Sequence, residues 1–446
     1  MSTPHIPDYA ATASPISSGN AALANASSST AAVSAAFDVV VIGAGTGGVS
    51  VAASLRRANA QLSIALIEPS ASHYYQPAWT LVGGGQYQAA HTRRDTASVL
   101  PPGATLVQGE VVAIDAAQRA VALNDGRRIA YRALVVAAGI TLDWAAIDGL
   151  EETLGRNGVT SNYRYDLAPY TWKCVQALNG GTAIFTQPGT PIKCAGAPQK
   201  ALYLAADALR RRGVKADLSF YTAAGAIFGV PFYARALDEV IASYGARTVL
   251  NRELVAVDGA ARAAVFETVI DGERRRETVR FDLLHVVPPQ RAPGFIRDSA
   301  LGNAAGWLDV DSATLRHVTH TDIFGLGDCT STPNSKTAAA VKAQVPVVVA
   351  NLLAQLAGRS LEAAYDGYAA CPLTTSAGKV LLAEFSYGGS ITPSLPLDPR
   401  KPRRLYWSLK KTWLPWFYWN LLLRGKAVPA LHRKRTFAES LPAIRA

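Results

Sequence analysis

The sequence contains little cysteine, and this scarcity excludes two classes of protein. Four cysteines occur among 446 residues, and no two of them form a CxxC pair. Small secreted scaffolds carry cysteine much more densely, and zinc ribbons or thioredoxin-like sites need closely spaced pairs. We therefore expect no metal site, and an active thiol must be recognised from its position in the fold.

Long apolar runs and N-terminal cations are also missing. No stretch reaches about 18 uninterrupted apolar residues, which is near the length that a membrane-spanning helix needs. Residues 1–36 are mostly Ala, Ser, Thr, Asn and Pro without a Lys or Arg, so they lack the basic start of a signal peptide and the arginines of a transit peptide. We expect these residues to form a disordered extension.

The excess positive charge is confined to the end of the chain. The formal net charge is +11, but positions 400–446 hold 12 Lys and Arg residues against one acid, so the remainder of the chain is neutral. The same segment contains four of the eight tryptophans. A neutral body with a basic, Trp-rich end indicates contact with a membrane surface and not with nucleic acid.

The basic end has the pattern of two short amphipathic segments separated near Pro415. We predict that they anchor the protein to one face of a membrane, with a dimer or domain interface as the alternative. Without an export signal, the cytoplasmic face of the inner membrane is the expected location. The predicted apolar surface comprises Leu405, Trp407, Leu409, Trp413, Leu414, Trp416, Phe417 and Trp419. The flanking cations are Arg403, Arg404, Lys410, Lys411, Arg424 and Lys426.

A glycine-rich turn lies between a predicted buried strand and a helix in residues 37–57, "FDVVVIGAGTGGVSVAASLRR". Gly43, Gly45 and Gly48 form GxGxxG, in which the first glycine permits the turn and the second lets backbone N–H groups approach a pyrophosphate. The third glycine lets the helix pack on the strand. The next strand ends in Glu68, 20 residues beyond Gly48, where a carboxylate can accept hydrogen bonds from a ribose. This combination predicts a dinucleotide site.

Two later segments indicate which dinucleotide binds. "YRALVVAAGI" is an apolar strand that leads to Gly139, and "DIFGLGDCTS" leads to Asp328. Both segments resemble the FAD-proximal motifs of the two-dinucleotide-binding flavoproteins, and that resemblance places Asp328 on the ribityl chain of FAD. The alternative is that Asp328 caps a helix beginning near Lys336.

The second glycine fingerprint of that superfamily is replaced by a different loop. The strand "GTAIFTQP" is followed by "GTPIKCAGAPQK", in which Gly189 and Gly196 are seven positions apart and Pro191 and Pro198 stiffen the turn. Proline lacks a backbone donor for phosphate, so we expect no nicotinamide site here. The loop instead places Cys194 near the end of a strand and the start of a helix, where a thiol can be held as thiolate. The alternative is a buried, inert cysteine.

The chain resembles the sulfide:quinone oxidoreductases, in the branch that includes the mitochondrial enzymes. The matching segments extend from Phe37 to about Lys426 and occur in order. They are "GAGTGG", "HYYQPAWTLVG", "RRDTASVLP", "SNYRYDLAPYTWK", "IKCAGAPQK", "GAIFGV", "GDCTSTPNSKTAAAV", "YDGYAACPL", "VLLAEF" and "PWFYWNLLLRG". "KCAGAPQK" and "YDGYAACPL" are specific, whereas "GAGTGG" is shared with many flavoproteins.

The resemblance implies a redox-active pair formed by Cys194 and Cys371. Hydrogen sulfide would attack the oxidised pair at Cys371, leaving a persulfide there and releasing Cys194 as the thiolate that delivers electrons through flavin C4a. Two electrons would then pass to quinone. The sulfane sulfur would leave as polysulfide or to a small acceptor such as sulfite, glutathione or cyanide.

The resemblance also implies noncovalent FAD. No cysteine precedes Cys174, which has no motif to support a role, and Cys329 is expected to be a small buried residue. The aromatic residues at 73–75 are expected to pack rather than to catalyse. Further FAD contacts that the resemblance suggests are Thr46, Gly47, Gln76, Val111, Ala338, Ala339, Ala340 and Val341.

Alternating strand and helix segments, together with the resemblance, predict an α/β fold of two tandem Rossmann-like domains plus a C-terminal amphipathic, membrane-anchoring segment. We predict an FAD domain over 37–160 and 295–365, a second domain without an NAD site over 161–294, and a C-terminal segment over 366–446. This last segment carries Cys371 and contacts membrane and quinone.

Three alternative functions stay open. A type II NADH dehydrogenase would need the second glycine fingerprint, and a flavocytochrome sulfide dehydrogenase passes electrons to haem and lacks a basic tail. A catalytically silent flavoprotein-like binding module is the third.

Overall fold

The structure, a computed structural model, describes residues 33–426 and 429–437. The predicted N-terminal extension lies outside the described residues as far as position 32, and the first strand begins at Ala35, two residues before the predicted start of the FAD domain. The elements as far as position 160 are β1 (Ala35–Ile42), α1 (Thr46–Ala58), β2 (Ile64–Glu68), β3 (Ser72–Tyr74), α2 (Trp79–Gly83), β4 (Arg93–Asp95), α3 (Thr96–Val99), β5 (Ala104–Gln108), β6 (Val111–Asp115), β7 (Ala120–Leu123), β8 (Arg128–Val136), β9 (Thr141–Leu142), α4 (Leu150–Thr153) and β10 (Val159–Thr160).

The middle of the chain again alternates strands and helices and then adds an antiparallel group. Its elements are α5 (Leu167–Ala177), β11 (Thr182–Gln187), α6 (Ala197–Arg211), β12 (Asp217–Thr222), α7 (Pro231–Ser243), β13 (Arg247–Val249), β14 (Glu253–Asp258), β15 (Ala263–Ile270), β16 (Glu273–Arg280), β17 (Leu283–His285), β18 (Gln290–Arg291) and α8 (Gly294–Arg297).

The last part of the chain supplies one more strand to the first sheet, a small antiparallel sheet and two C-terminal helices. A single π-helical turn, Leu409–Trp413, joins these two helices. The elements are β19 (Ile323–Gly325), α9 (Ala338–Leu356), β20 (Ala369–Ser376), β21 (Lys379–Ser386), β22 (Ser390–Ile391), α10 (Arg404–Ser408) and α11 (Leu414–Asn420).

The first sheet combines early strands with β19. Its parallel strands follow the order β5-β2-β1-β8 with β19 added to β8, and β6 and β7 extend it as an antiparallel hairpin. Residues 39–42 of β1 and 133–136 of β8 are almost wholly buried, because helices cover both faces of such a sheet. Since β1, β8 and β19 run in parallel, their carboxyl ends place Gly43, Gly139 and Gly327 at one edge.

The second sheet is entirely parallel, with the order β10-β17-β11-β12-β13. An antiparallel group, β14-β15-β16, follows it. The prediction of two Rossmann-like units is confirmed by these two sheets. The predicted boundary at position 160 assigns β10 to the first unit, but β10 pairs with β17 of the second.

One helix in the described part of the chain, α9, is long and apolar enough to cross a membrane by length and composition alone. Its Val348 and Leu352 are fully buried in the core of the first sheet, and it packs along α1. Half of this apolar stretch is buried inside the protein, and burial in the core accounts for that half.

The C-terminal segment packs against the body of the protein through part of its aromatic surface. Tyr418, Trp419 and Leu423 belong to the core beneath the first sheet, and Tyr406 packs beside β21. Trp419 is only 6% exposed, so its predicted place on a membrane-facing surface is wrong. The prediction for Lys410 is also wrong, because its side chain is buried.

Three residues of the predicted surface face outward, whereas the other four, Trp407, Leu409, Leu414 and Phe417, are half-buried. Leu405, Trp413 and Trp416 are 57%, 60% and 52% exposed. The two helical segments are separated at the π-helical turn, immediately before the predicted break at Pro415, which lies in the first turn of α11. Residues 427–428 and 438–446 lie outside the described residues.

Candidate active site

Two cysteine sulfur atoms lie close together where the loop after β11 meets strand β20. Cys194 lies in the connection from β11 to α6, and Cys371 lies on β20; their Sγ atoms are 3.5 Å apart. Cys194 has a φ of +56, an unusual left-handed conformation for a side chain of its size, and its N–H donates to the Lys336 carbonyl at 2.6 Å. The backbone is thus held in a strained turn that directs the Cys194 thiol toward Cys371.

Gly196 is the residue of the loop that lets Cys371 approach. A Cβ at this position would lie 2.7 Å from the Cys371 Sγ and 2.6 Å from Cδ2 of Leu373. Real Cβ atoms do not make contacts this short, so the thiol occupies the space that a side chain at 196 would take. The glycines of this loop therefore serve the close contact of two chain segments and not a phosphate turn.

A buried ammonium group stabilises one thiol as its thiolate. The Lys200 Nζ, in the first turns of α6, donates to the Cys194 Sγ at 3.0 Å and lies 4.0 Å from the Cys371 Sγ. A hydrogen bond from Cys371 and the charge of Lys200 hold the pKa of Cys194 well below its usual range. The same hydrogen bond, together with burial, raises the pKa of Cys371 well above it. The reduced pair therefore exists as a Cys194 thiolate beside a protonated Cys371.

Lys410 brings a second cation to the pair from the C-terminal segment. Its Nζ donates to the Pro372 carbonyl at 3.0 Å, next to Cys371. Burial and the nearby charge of Lys200 lower the pKa of Lys410 to about 7. Sequence reasoning missed both lysines. The position of Lys200, six residues after Cys194 at the start of a predicted helix, was a usable signal. Nothing in the sequence separates Lys410 from its half-buried neighbour Lys411.

The glycines of the GxGxxG segment divide into two structural kinds. Gly43 has a φ of +94, and a Cβ there would lie 2.5 Å from the Ala137 carbonyl oxygen. A Cβ on Gly48 would lie 1.8 Å from the Gly43 carbonyl oxygen, so α1 rests directly on the turn. Over Gly45, in contrast, no atom lies within 4 Å of a Cβ position. Two glycines thus serve packing, and the third borders open space.

Glu68 lies at the end of β2 beside this turn. Its carboxylate accepts hydrogen bonds from the Ala44 N–H at 2.8 Å and the Ser70 N–H at 2.9 Å. The Gly109 N–H donates to the Glu68 carbonyl at 3.3 Å, and Val111, two residues later, begins β6. The structure therefore brings Glu68 to the glycine turn and places Val111 near Glu68 at the adjoining end of the sheet.

A buried hydrogen-bonded chain ties the C-terminal segment to the glycine turn. The His73 Nδ1 lies 2.8 Å from the Ala44 carbonyl, and its Nε2 lies 2.6 Å from the Tyr418 hydroxyl. Burial lowers the pKa of His73, and because a carbonyl only accepts, the neutral ring carries its proton on Nδ1. Tyr418 consequently donates to Nε2 and accepts from the Thr46 hydroxyl at 3.0 Å.

The start of α9 lies at the same edge of the sheet. Thr337 is its N-cap: the Thr337 hydroxyl accepts from the Ala340 N–H at 3.1 Å, and its carbonyl accepts from the Val341 N–H at 3.1 Å. The N–H groups of Ala338 and Ala339 have no partner inside the helix, as expected for its first positions. These two amides therefore remain for other acceptors.

Asp328 is not the cap of α9, so the helix-cap alternative is wrong. Burial raises the pKa of the Asp328 carboxyl, against the lowering effect of Lys336 and Lys193. Burial lowers the pKa of Lys193 to about 8, and its Nζ donates to the Gln76 Oε1 at 2.8 Å. The loop that carries Cys194 therefore lies near the Asp328 carboxyl and the Lys336 ammonium. Lys193, within this loop, reaches Gln76.

Two further predicted glycines lie at this edge. Gly139 has a φ of +70 with no atom within 4 Å of a Cβ position, as over Gly45. Gly47 packs against Leu326, whose Cγ would lie 3.4 Å from a Cβ at this position. Open space therefore extends along the carboxyl ends of β1 and β8.

The other two cysteines lie apart from the pair. Cys329 is fully buried, as predicted, and its thiol lies 3.6 Å from the Val136 and Leu326 carbonyls. Burial raises the pKa of Cys329 to about 11 and also raises the pKa of Cys174, which is half-buried on α5. Neither thiol has the thiolate character of Cys194.

Comparison with known proteins places the chain in a family. The sequence profile of the pyridine nucleotide-disulphide oxidoreductases matches residues 37–175. The chain is 42% identical over 393 residues to the mitochondrial sulfide:quinone oxidoreductase of Dictyostelium discoideum, covering 87% of this chain and 86% of that protein. It is 39% identical over 401 residues to the mitochondrial sulfide:quinone oxidoreductase of Mus musculus, covering 89% of each. The X-ray structure of the Aquifex aeolicus sulfide:quinone oxidoreductase superposes with a TM-score of 0.71 at 21% identity, covering 88% of this chain and 92% of that one. The chain thus belongs to the sulfide:quinone oxidoreductase family.

Proposed function

We propose that this protein is a flavoprotein that oxidises hydrogen sulfide to sulfane sulfur and passes the electrons to quinone. The observation that carries the proposal is the 3.5 Å approach of the Cys194 and Cys371 sulfur atoms beside the buried Lys200 ammonium. A disulfide bond is about 2.05 Å long, so a small movement of either side chain closes the pair. The names of the curated relatives support the choice of sulfide and quinone as substrates.

The sulfur chemistry begins from the oxidised pair. A hydrosulfide ion attacks the Cys371 Sγ, forming a new S–S bond while the bond to Cys194 breaks with its electron pair. Cys371 then carries a persulfide and Cys194 is a thiolate. Lys200 favours this direction of cleavage, because its ammonium stabilises negative charge on the leaving Cys194 sulfur.

The second half of the reaction returns the pair to its starting state. A thiolate, sulfite or cyanide acceptor attacks the outer sulfur of the persulfide, and Cys371 leaves with the bonding electron pair and takes up the proton that the outer sulfur carried. Re-forming the disulfide from the two cysteines releases two electrons and, from Cys371, one proton. Cys371 is fully buried and Cys194 only half-buried, which favours a small acceptor such as sulfite, glutathione or cyanide.

The residues at the edge of the first sheet fit an FAD molecule. The open space over Gly45 and Gly139 leaves room for a ligand beside the backbone, and the Ala338 and Ala339 amides are available to its acceptors. When bound, FAD supplies the two-electron acceptor that quinone reoxidises. The residues that we propose hold it, without a covalent bond, are Gly43, Gly45, Thr46, Gly47, Gly48, Glu68, Gln76, Val111, Gly139, Asp328, Ala338, Ala339, Ala340 and Val341.

The exposed face of the C-terminal segment supports docking on a membrane. Leu405 on α10, Trp413 at the end of the π-helical turn and Trp416 on α11 are more than half exposed. The cations Arg404 and Lys411 lie in the same segment. Tryptophan at the headgroup level and cations facing anionic lipid are the usual composition of such a surface. Docking here gives a lipid-soluble quinone a route to the protein that avoids water.

An anaerobic titration tests the proposed reaction. Sulfide is added to the FAD-loaded protein, followed by a short-chain quinone, while flavin absorbance is recorded. We expect bleaching by sulfide and recovery with quinone, and no bleaching in Cys194→Ser or Cys371→Ser at unchanged FAD content. Cys174→Ser serves as the control. Bleaching by NADH but not by sulfide would favour the NADH dehydrogenase alternative instead.

A surface substitution tests the membrane proposal without exposing the core. Deleting residues 400–446 would remove Tyr406, Tyr418 and Trp419 from their cores, so that variant does not isolate membrane contact. Replacing Leu405, Trp413 and Trp416 by Ser should release the protein from phosphatidylcholine vesicles in flotation. Replacing the exposed Val269 and Val318 by Ser is the matched control, and equal flotation of both variants would contradict the proposal.

A further inference from the structure

A basic pocket of about 720 Å³ lies between α1 and the end of the C-terminal segment. Arg56 and Arg57 form one side of it, and Arg424 and Lys426 form the other. None of the described residues that line it is acidic. Trp416, Leu421 and Leu423 supply apolar side chains to its lining.

The two sides are held together by a close backbone contact. Gly425 has a φ of +60, and a Cβ at this position would lie 2.5 Å from the Ala53 carbonyl carbon and 2.5 Å from the Ser54 nitrogen. Only glycine allows the chain to turn this close to α1. The residues on either side of it, Arg424 and Lys426, are thereby fixed next to Arg56 and Arg57.

The four cations of the pocket have no carboxylate partner among residues 33–426 and 429–437. The Arg56 guanidinium donates to the carbonyls of Pro102, Ala60 and Leu62, at 3.3, 2.6 and 2.9 Å, which fixes its position without neutralising its charge. The negative end of the α1 dipole accounts for cations in the last turn of that helix. It does not account for Arg424 and Lys426, which come from another segment.

The pocket opens beside the face that we propose docks on the membrane. Trp416, 52% exposed, lies on its rim together with Asn420. Arg56 follows Thr46 by ten residues of α1, which corresponds to about 15 Å along the helix. The pocket is therefore separate from the glycine turn and from the space assigned to FAD.

We infer that this pocket binds the phosphate group of an anionic glycerophospholipid, with the acyl chains lying along Trp416. Guanidinium groups match phosphate oxygens in geometry and charge, and a pocket with several unneutralised cations favours an anionic over a zwitterionic headgroup. The inference rests on the proposed membrane docking of the C-terminal segment. The inference goes beyond membrane docking, because it assigns one class of lipid to one pocket.

Native mass spectrometry of the FAD-loaded, delipidated protein in detergent tests the inference. Dioleoyl-phosphatidylglycerol, dioleoyl-phosphatidylcholine and inorganic phosphate are added separately. We expect one phosphatidylglycerol adduct per chain, with an affinity that falls about tenfold or more in the double variant Arg57→Gln, Arg424→Gln. The double variant Lys173→Gln, Arg235→Gln removes the same charge from exposed positions outside the pocket and outside the C-terminal segment, and its affinity should stay within about twofold of the original.

Three results would overturn the inference: equal binding of phosphatidylcholine, equal loss in both double variants, or displacement of the lipid by an equal concentration of inorganic phosphate. The last result would identify the pocket as a simple phosphate site. Flotation with phosphatidylcholine vesicles and bleaching by sulfide are recorded on the same samples. Normal flotation and bleaching without a lipid adduct reject the lipid site alone, whereas missing flotation or bleaching rejects the proposed function.

Discussion

The thiol of Cys371 occupies the space that a side chain on Gly196 would need. A Cβ on Gly196 would lie 2.7 Å from this sulfur, closer than atoms in folded proteins approach. The two residues are far apart in sequence, and their contact sets the distance at which Cys371 faces Cys194. The loop glycine is thus part of the thiol site.

Replacing Gly196 by Ala should displace Cys371 and slow sulfide-dependent bleaching of the flavin. Overpacking of this kind costs about 1–3 kcal/mol in the free energy of unfolding, which urea denaturation measures. Gly229→Ala is the matched control, because no atom lies within 4 Å of a Cβ there and its φ is not positive. Bleaching at the original rate in Gly196→Ala would show that the contact does not set the sulfur geometry.

Replacing Lys200 by Gln should raise the pKa of Cys194. The hydrogen bond from Cys371 remains in this variant, so the loss of the ammonium raises the pKa of Cys194 only part of the way to its usual range. Alkylation of Cys194 in the reduced protein follows the thiolate fraction, and its pH profile should move to higher pH. Lys411→Gln, at a half-buried position where the ammonium lies over the Trp407 ring, should leave the profile in place. An unshifted profile in Lys200→Gln would argue against electrostatic support from this lysine.

Replacing Lys410 by Met should stabilise the protein at neutral pH. The pKa of Lys410 is about 7 in the fold against a usual value of 10.5, so the unfolded chain binds the additional proton between these values. By linkage, the cost of burying Lys410 is fully present below pH 7 and disappears as the pH approaches 10.5. We expect a gain on the order of 2 kcal/mol at pH 7 and below, lost at high pH, in urea denaturation. An equal gain at both extremes would mean that packing, and not charge burial, explains it.

Replacing Tyr418 by Phe should weaken FAD retention and stability together. The variant leaves the buried Nε2 of His73 and the hydroxyl of Thr46 without their partner, which costs about 1–3 kcal/mol. Thr46 is the first residue of α1 and borders the proposed FAD site, so the dissociation constant of FAD should also rise. Tyr74→Phe, in the neighbouring aromatic cluster, is the control. Unchanged FAD retention would show that the hydrogen bonds of Tyr418 do not support FAD binding.

Gly45 and Gly48 should respond differently to the same substitution. Gly48→Ala forces a Cβ to within 1.8 Å of the Gly43 carbonyl oxygen, and we expect a loss of about 3 kcal/mol or more in stability. Gly45→Ala meets no protein atom within 4 Å, so the fold should persist while FAD binding weakens. Thermal unfolding and FAD titration distinguish the two outcomes. FAD binding at full strength in Gly45→Ala would place the cofactor elsewhere.

Local signals in the sequence determined most of the fold. Strands β1 and β8 were predicted correctly from apolar runs followed by glycines. A buried parallel strand and its turn are encoded within about ten consecutive residues, so a local pattern identifies them. The two thiols were predicted as a pair by the resemblance of the segments around Cys194 and Cys371 to the sulfide:quinone oxidoreductases. The sequence also indicated a basic, aromatic C-terminal segment, since charge and tryptophan content are properties of composition.

The tertiary structure decided how these parts act on one another. Lys410 and Lys411 are adjacent and identical in type, yet only Lys410 enters the protein and reaches the cysteine pair. Trp416 and Trp419 are three residues apart, yet only Trp416 remains exposed, because the orientation of α11 is set by packing on the first sheet. Burial and charge pairing depend on segments distant in the chain, so no local pattern identifies which cation supports a thiolate and which faces the solvent.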